Sequence, residues 1–164
     1  AARGITAFVL KYRLAQMPPA AVPPAAPLAN PSPTTAQATR LAQADGLAAM
    51  KWVRSHAGDY GLKTDKIGFM GFSAGGTTTT NVVLNYDKDS RPDFVGVVYG
   101  GITPGAVVPA DAPPAFIMVA ADDRTMGDRA LPIYQAWRAA GRSAELHIYA
   151  RSSHGFGIRV QGQR

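Results

Sequence analysis

Cysteine is absent from the 164 residues, which removes disulfides, thiolate nucleophiles and zinc–thiolate sites together. No apolar run approaches the ~18 residues needed to cross a bilayer, although 46% of the chain is apolar. Acidic residues are outnumbered, 11 against 17 basic, for a formal charge of +6. The arginines (among them Arg40, Arg54, Arg91 and Arg138) are scattered and are not interleaved with aromatics, so the charge reads as a solvated surface and not as a nucleic-acid footprint. A membrane partner is not expected either. No signal peptide is visible, and the compartment stays open. What remains is one domain's length with room for a substantial core.

Proline is concentrated where regular structure is not expected. Met17 to Pro33 holds seven of the thirteen prolines among alanines and predicts an extended loop, reaching to about residue 36. Before it, Ile5 to Leu10 is a continuous β-favouring run suited to a strand buried on both faces. After it, apolar residues at three-to-four spacing predict a helix from about Gln37 to Ala57, ended by Gly58 and Gly61.

Ile67 to Met70 then reads as a buried strand, running directly into Gly71-Phe72-Ser73-Ala74-Gly75 and a helix over Thr77 to Asn85. Strand, G-x-S-x-G, helix is the order of a nucleophile elbow. On that reading Gly71 and Gly75 spare the turn a steric collision, while Ala74 and Gly76 let helix and strand pack closely. The Ala74 amide, at the helix N-terminus, faces an oxyanion forming beside Ser73. Further strands are expected at Phe94 to Tyr99, Ala115 to Ala120 and Glu145 to Tyr149. A helix from Asp128, acting as its cap, to Ala140 is expected between the last two. Repeated strand–helix–strand order predicts a single α/β domain, a parallel sheet with helices on both faces.

In such sheets reactive groups lie just past the strands' C-terminal ends. Asp122 and Asp123 follow one strand and His154 follows the next, giving the order Ser, Asp, His. Asp123 is preferred as the partner of His154, with Asp122 as a turn residue or a supporting acceptor. His147 lies within a strand, and His56 at a helix C-terminus is explained by the helix dipole. Asp111 sits at the wrong end of its strand, and Asp128 is accounted for as a cap. Ser73 as nucleophile, His154 as base and Asp123 as orienter suffice for acyl transfer to water, with no metal or organic cofactor required.

Gly4-Ile-Thr-Ala-Phe-Val-Leu-Lys-Tyr-Arg-Leu14, Lys66 to Gly76, Ala120-Ala-Asp-Asp123, Glu145 to Tyr149 and Ser153-His-Gly-Phe-Gly157 together resemble the α/β-hydrolase superfamily. More narrowly, they resemble its acetyl-esterase and acetyl-xylan-esterase-like branch, often labelled endo-xylanase-associated. The resemblance implies hydrolysis of small carboxylic esters with short acyl groups, acetylated sugars among them, by Ser73, Asp123 and His154. The family's domain normally opens with three further strands and an HGGG-type oxyanion loop, neither matched here, and closes with a helix after the histidine loop. The sequence therefore reads as a hydrolase domain incomplete at its N-terminal side. Its sheet would be completed by a missing N-terminal segment, by another copy in a homo-oligomer, or by direct pairing of the flanking strands. A peptidase or lactonase of the same fold, and a weakly active or inactive binding module, are the competing readings.

Overall fold

The computed structural model describes residues 4–14 and 33–158. Four parallel strands, β1 (Gly68–Phe72), β2 (Phe94–Val98), β3 (Ala115–Ala120) and β4 (Ala144–Tyr149), pair in the order β1-β2-β3-β4. Three helices accompany them: α1 (Pro33–Ser55), α2 (Ala74–Asn85) and α3 (Ala130–Ala139). The parallel α/β architecture expected from the sequence is what the chain adopts.

The strand order never reverses, and right-handed crossovers then carry every connection over the same side of the sheet. That side is the core. Val95, Val97, Ile117 and Val119 face it, and Val83 of α2 and Ile133 and Trp137 of α3 close over them, all essentially fully buried. Trp137 also satisfies its indole N–H on the Pro113 carbonyl at 2.9 Å. A smaller cluster of Met50, Ala57, Ile67 and Val82 joins α1 to α2. The two helices come close because Gly46 has no side chain; a Cβ there would lie 2.6 Å from Val82 Cγ2.

The opposite side is covered less fully by the described residues. Met70 is 58% exposed and Phe94 51%. Each lies flat across a glycine of the neighbouring strand: Phe94 over Gly68, Met70 over Gly96. Folding onto glycine is how an uncovered apolar side chain still sheds part of its water contact.

Ile5 to Leu10 forms no strand. A strand needs a neighbour to accept and donate its backbone bonds. Here the segment runs instead beside α1, with Val9 97% exposed, so direct pairing of this stretch with the elbow strand does not occur. Phe8 packs edge-on against Trp52 and Tyr60, and Arg13 grips Asp45 with Nε and Nη2, at 3.0 and 2.6 Å. Within the described residues β1 is therefore an edge strand, paired only to β2.

Other boundaries move slightly. Helix α1 begins at Pro33, a residue suited to a first helical turn, so residues 33–36 are helix and not loop; residues 17–32 of the expected loop lie outside the described set. Asp128 is not a side-chain cap. It sits in a short 3-10 turn, Gly127–Arg129, and α3 starts at Ala130 without a side-chain cap. Gly141, at φ 67°, ends that helix.

Candidate active site

The turn from β1 into α2 is built on steric exclusion. Ser73 takes φ 53° and ψ −118°, a conformation rarely tolerated by a residue with a Cβ. Its amide donates to Val98 O at 3.0 Å and its carbonyl accepts from Thr77 N at 3.1 Å, so the strained residue is fixed on both sides. A Cβ on Gly71 would lie 2.1 Å from the Gly75 carbonyl oxygen, and one on Gly76 would lie 2.9 Å from Gly100 Cα. Gly71 and Gly76 are thus required by contact with other backbone. Gly75 is not: a Cβ there would meet nothing within 4 Å. Its carbonyl, not its missing side chain, is what presses on Gly71.

Helix α2 tolerates its four threonines by burying three of them, Thr78 to Thr80, and giving each of the four hydroxyls a partner. Thr78 and Thr79 donate to the carbonyls of Ala74 and Gly75, and Thr80 donates to Gly101 O at 2.7 Å. Thr77 Oγ1 accepts from Gly101 N at 3.1 Å. The helix is therefore bolted to the loop after β2, directly behind Ser73. Ala74 is its first residue, so its amide has no intrahelical acceptor.

His154 arrives from the loop after β4. Its Nε2 lies 2.8 Å from Ser73 Oγ and its Nδ1 lies 2.7 Å from Asp123 Oδ2. Asp123 is 4% exposed. Its other oxygen accepts from the amides of Thr125 and Met126, at 2.8 and 3.0 Å. Burial works against the Asp123 charge, but the bonds from His154 and from the two amides outweigh it, and the carboxyl sits below the usual carboxylate range. An ionised Asp123 accepts from Nδ1–H, which leaves Nε2 free to accept the serine hydroxyl.

The structure thus brings Ser73, His154 and Asp123 together and separates the other candidates from them. Asp122 accepts the amides of Ser152 and Ser153. His147 faces Glu145 at 3.2 Å and stacks on Phe116. His56 lies against its own helix, Nδ1 at 2.9 Å from Trp52 O. Asp111, at the opposite end of the sheet, accepts the Tyr86 hydroxyl at 2.7 Å. Among the described residues no group of three or more histidine and carboxylate side chains is placed to hold a metal ion.

Tyr99 is the residue the sequence reading passed over. Expected as the end of a strand, it is instead the first residue beyond β2, buried, at φ 37°. Its ring lies 4.8 Å from that of His154 and 5.3 Å from that of Phe156. The available signal was its place just past a parallel strand and before Gly100-Gly101, where the backbone must turn sharply.

Comparison with known proteins bears on the fold. A family profile described as alpha/beta hydrolase fold matches residues 36–108. An acetylxylan esterase of Xylanibacter ruminicola is 28% identical over 65% of this chain, which corresponds to 29% of that protein. Among solved structures, an acetyl ester-xyloside bifunctional hydrolase from Caldicellulosiruptor lactoaceticus superposes with a TM-score of 0.61 at 22% identity, covering 79% of this chain and 60% of that one. Esterase 2 of Thermogutta terrifontis, in a form phosphonylated by cyclosarin, gives 0.63 at 24% identity, covering 75% and 58%. The chain therefore spans under a third of the curated relative and about three-fifths of the solved ones.

Proposed function

We propose that this chain, whose fold is that of the α/β hydrolases, carries the active site of a serine esterase for small carboxylic esters with short acyl groups, acetylated carbohydrates among them. The observation that carries the reading is the unbroken line Ser73 Oγ–His154 Nε2, His154 Nδ1–Asp123 Oδ2, at 2.8 and 2.7 Å, on a serine held in a strained elbow. In the first half-reaction His154 takes the Ser73 proton as Oγ adds to the ester carbonyl. Collapse of the tetrahedral adduct expels the alcohol, which receives that proton, and leaves an acyl-serine. Water, deprotonated by the same imidazole, then releases the acid and restores Ser73. Asp123 keeps the imidazole in the working tautomer and balances its transient charge. The Ala74 amide supplies the nameable oxyanion donor. Loss of one such donor costs ~10²–10³ in rate, so turnover by this chain alone is expected to be low.

The acetyl specificity is supported by the names of the similar proteins: an acetylxylan esterase and an acetyl ester-xyloside hydrolase. A fluorophosphonate probe tests the chemistry, since it needs the activated serine but not a complete acyl pocket. Stoichiometric labelling of the wild type, lost in Ser73→Ala, is the expected result. A folded wild type that stays unlabelled would overturn the reading in favour of a non-catalytic binding module. Release of acetate from acetylated xylo-oligosaccharides, compared with p-nitrophenyl acetate, tests the substrate class.

A further inference from the structure

Two consecutive carboxylates reach the histidine loop, and they hold different parts of it. Asp123 holds the His154 ring. Asp122 Oδ1 accepts two successive amides of the same loop, Ser152 N at 3.0 Å and Ser153 N at 2.8 Å. Those amides belong to the residues that deliver His154, and Ser153 is itself at φ 56°, with Gly155 at φ 89° just beyond. A non-glycine residue at positive φ is strained and persists only where its surroundings impose the conformation. The two-amide grip of Asp122 is such an imposition. One more bond, Ala121 N to Tyr149 O at 2.8 Å, closes the same junction between the ends of β3 and β4.

We propose that Asp122 is a positioning residue for the hydrolytic site: its carboxylate oxygen fixes the backbone at residues 152–153 and thereby sets where the His154 imidazole lies between Ser73 and Asp123. The proposal rests on the esterase reading above. Its physical content is a division of labour within one Asp-Asp pair, in which Asp123 orients the ring and Asp122 the main chain carrying it. Because the two carboxylates sit on adjacent residues of one turn, a shift of the histidine loop strains both sets of bonds. Asp122 touches no reacting atom, and what its bonds need is an acceptor oxygen more than a charge. An asparagine presents the same Oδ1; an alanine presents none.

The test compares Asp122→Asn and Asp122→Ala with the wild type. Asp122→Ala is expected to lower kcat on p-nitrophenyl acetate by about tenfold or more with KM within about twofold, because misplacing a base affects the chemical step and not substrate capture. Asp122→Asn is expected to stay within about threefold of the wild type. A second readout does not depend on turnover: the downfield proton on His154 Nδ1, observed by NMR, should persist in Asp122→Asn and broaden or vanish in Asp122→Ala. A role confined to stability would lower the melting temperature of Asp122→Ala while leaving kcat and that proton unchanged, and would overturn the proposal. Equal losses in both variants would overturn it too, since they would place the effect in the charge. Should the wild type fail to label with the fluorophosphonate, the esterase reading falls, while the Nδ1 proton still decides whether Asp122 places the imidazole.

Discussion

The two halves of the candidate site are held by opposite means. At the elbow, Gly71 and Gly76 work by lacking atoms: strand, helix and the Gly100 loop fit only because two Cβ atoms are missing. Facing it, Asp122, Asp123 and His154 are held by atoms that are present: five hydrogen bonds join the two carboxylates to four amides and one imidazole, and a sixth joins that imidazole to Ser73. Steric exclusion is unforgiving and local. A hydrogen-bonded arrangement is more tolerant of a single loss but depends on strands that meet only in the folded sheet. The proposed nucleophile therefore sits on the rigid half and the proposed proton-transfer groups on the adjustable one.

Substitutions on each half sharpen the contrast. The largest effect is expected from Asp123→Asn, which keeps shape but favours the wrong tautomer of His154; kcat should fall by about 10⁴, or ~5.5 kcal/mol of transition-state stabilisation, with the fold retained by circular dichroism. The same variant carries a pH signature. Asp123 titrates below its ordinary range in the folded chain, so its stabilisation is full above the ordinary carboxylate pKa and is lost as pH falls through the depressed native value. The urea midpoints of wild type and Asp123→Asn should converge on acidification, and a gap that widens instead would reverse the assignment.

Gly71→Ala comes next. Its methyl has backbone, not a pliable side chain, in its way, and a loss of at least about 3 kcal/mol is expected. An alanine variant with an unchanged urea midpoint would show that the elbow can yield. Gly75→Ala, four residues on in the same motif, should be the smallest. With nothing within 4 Å and a helical backbone to join, it is expected to be neutral or to stabilise by up to ~0.5–1 kcal/mol. If both glycines prove equally sensitive, the distinction drawn from the geometry fails.

This contrast also explains what was legible in the sequence. The elbow could be read because steric demands fall on contiguous residues and leave a contiguous motif. Asp123 and His154 could be placed because the strands before them, the apolar run Ala115–Ala120 and the alternating segment Ala144–Tyr149, have ends that are easily found. Tyr99 escaped because its role depends on a positive φ, which an aromatic residue does not advertise. Gly75 was over-read because the motif does not reveal which glycine faces an obstacle. Ile5 to Leu10 was over-read for a different reason: β propensity describes a segment that would suit a sheet, and pairing needs a neighbour that the described chain does not offer. The strand order, which alternation does not fix, winds in one direction, and Met70 and Phe94 are left exposed.

The contact between Ser73 and His154 bridges 81 positions of sequence. A ribosome working at 5–20 residues per second needs ~4–16 s to cover that distance. Over that interval the growing chain carries an elbow serine with no base to activate it. On the proposed reading, reactivity appears only once β4 and the histidine loop dock on the sheet, and an elbow that emerges before them is chemically silent toward the esters around it.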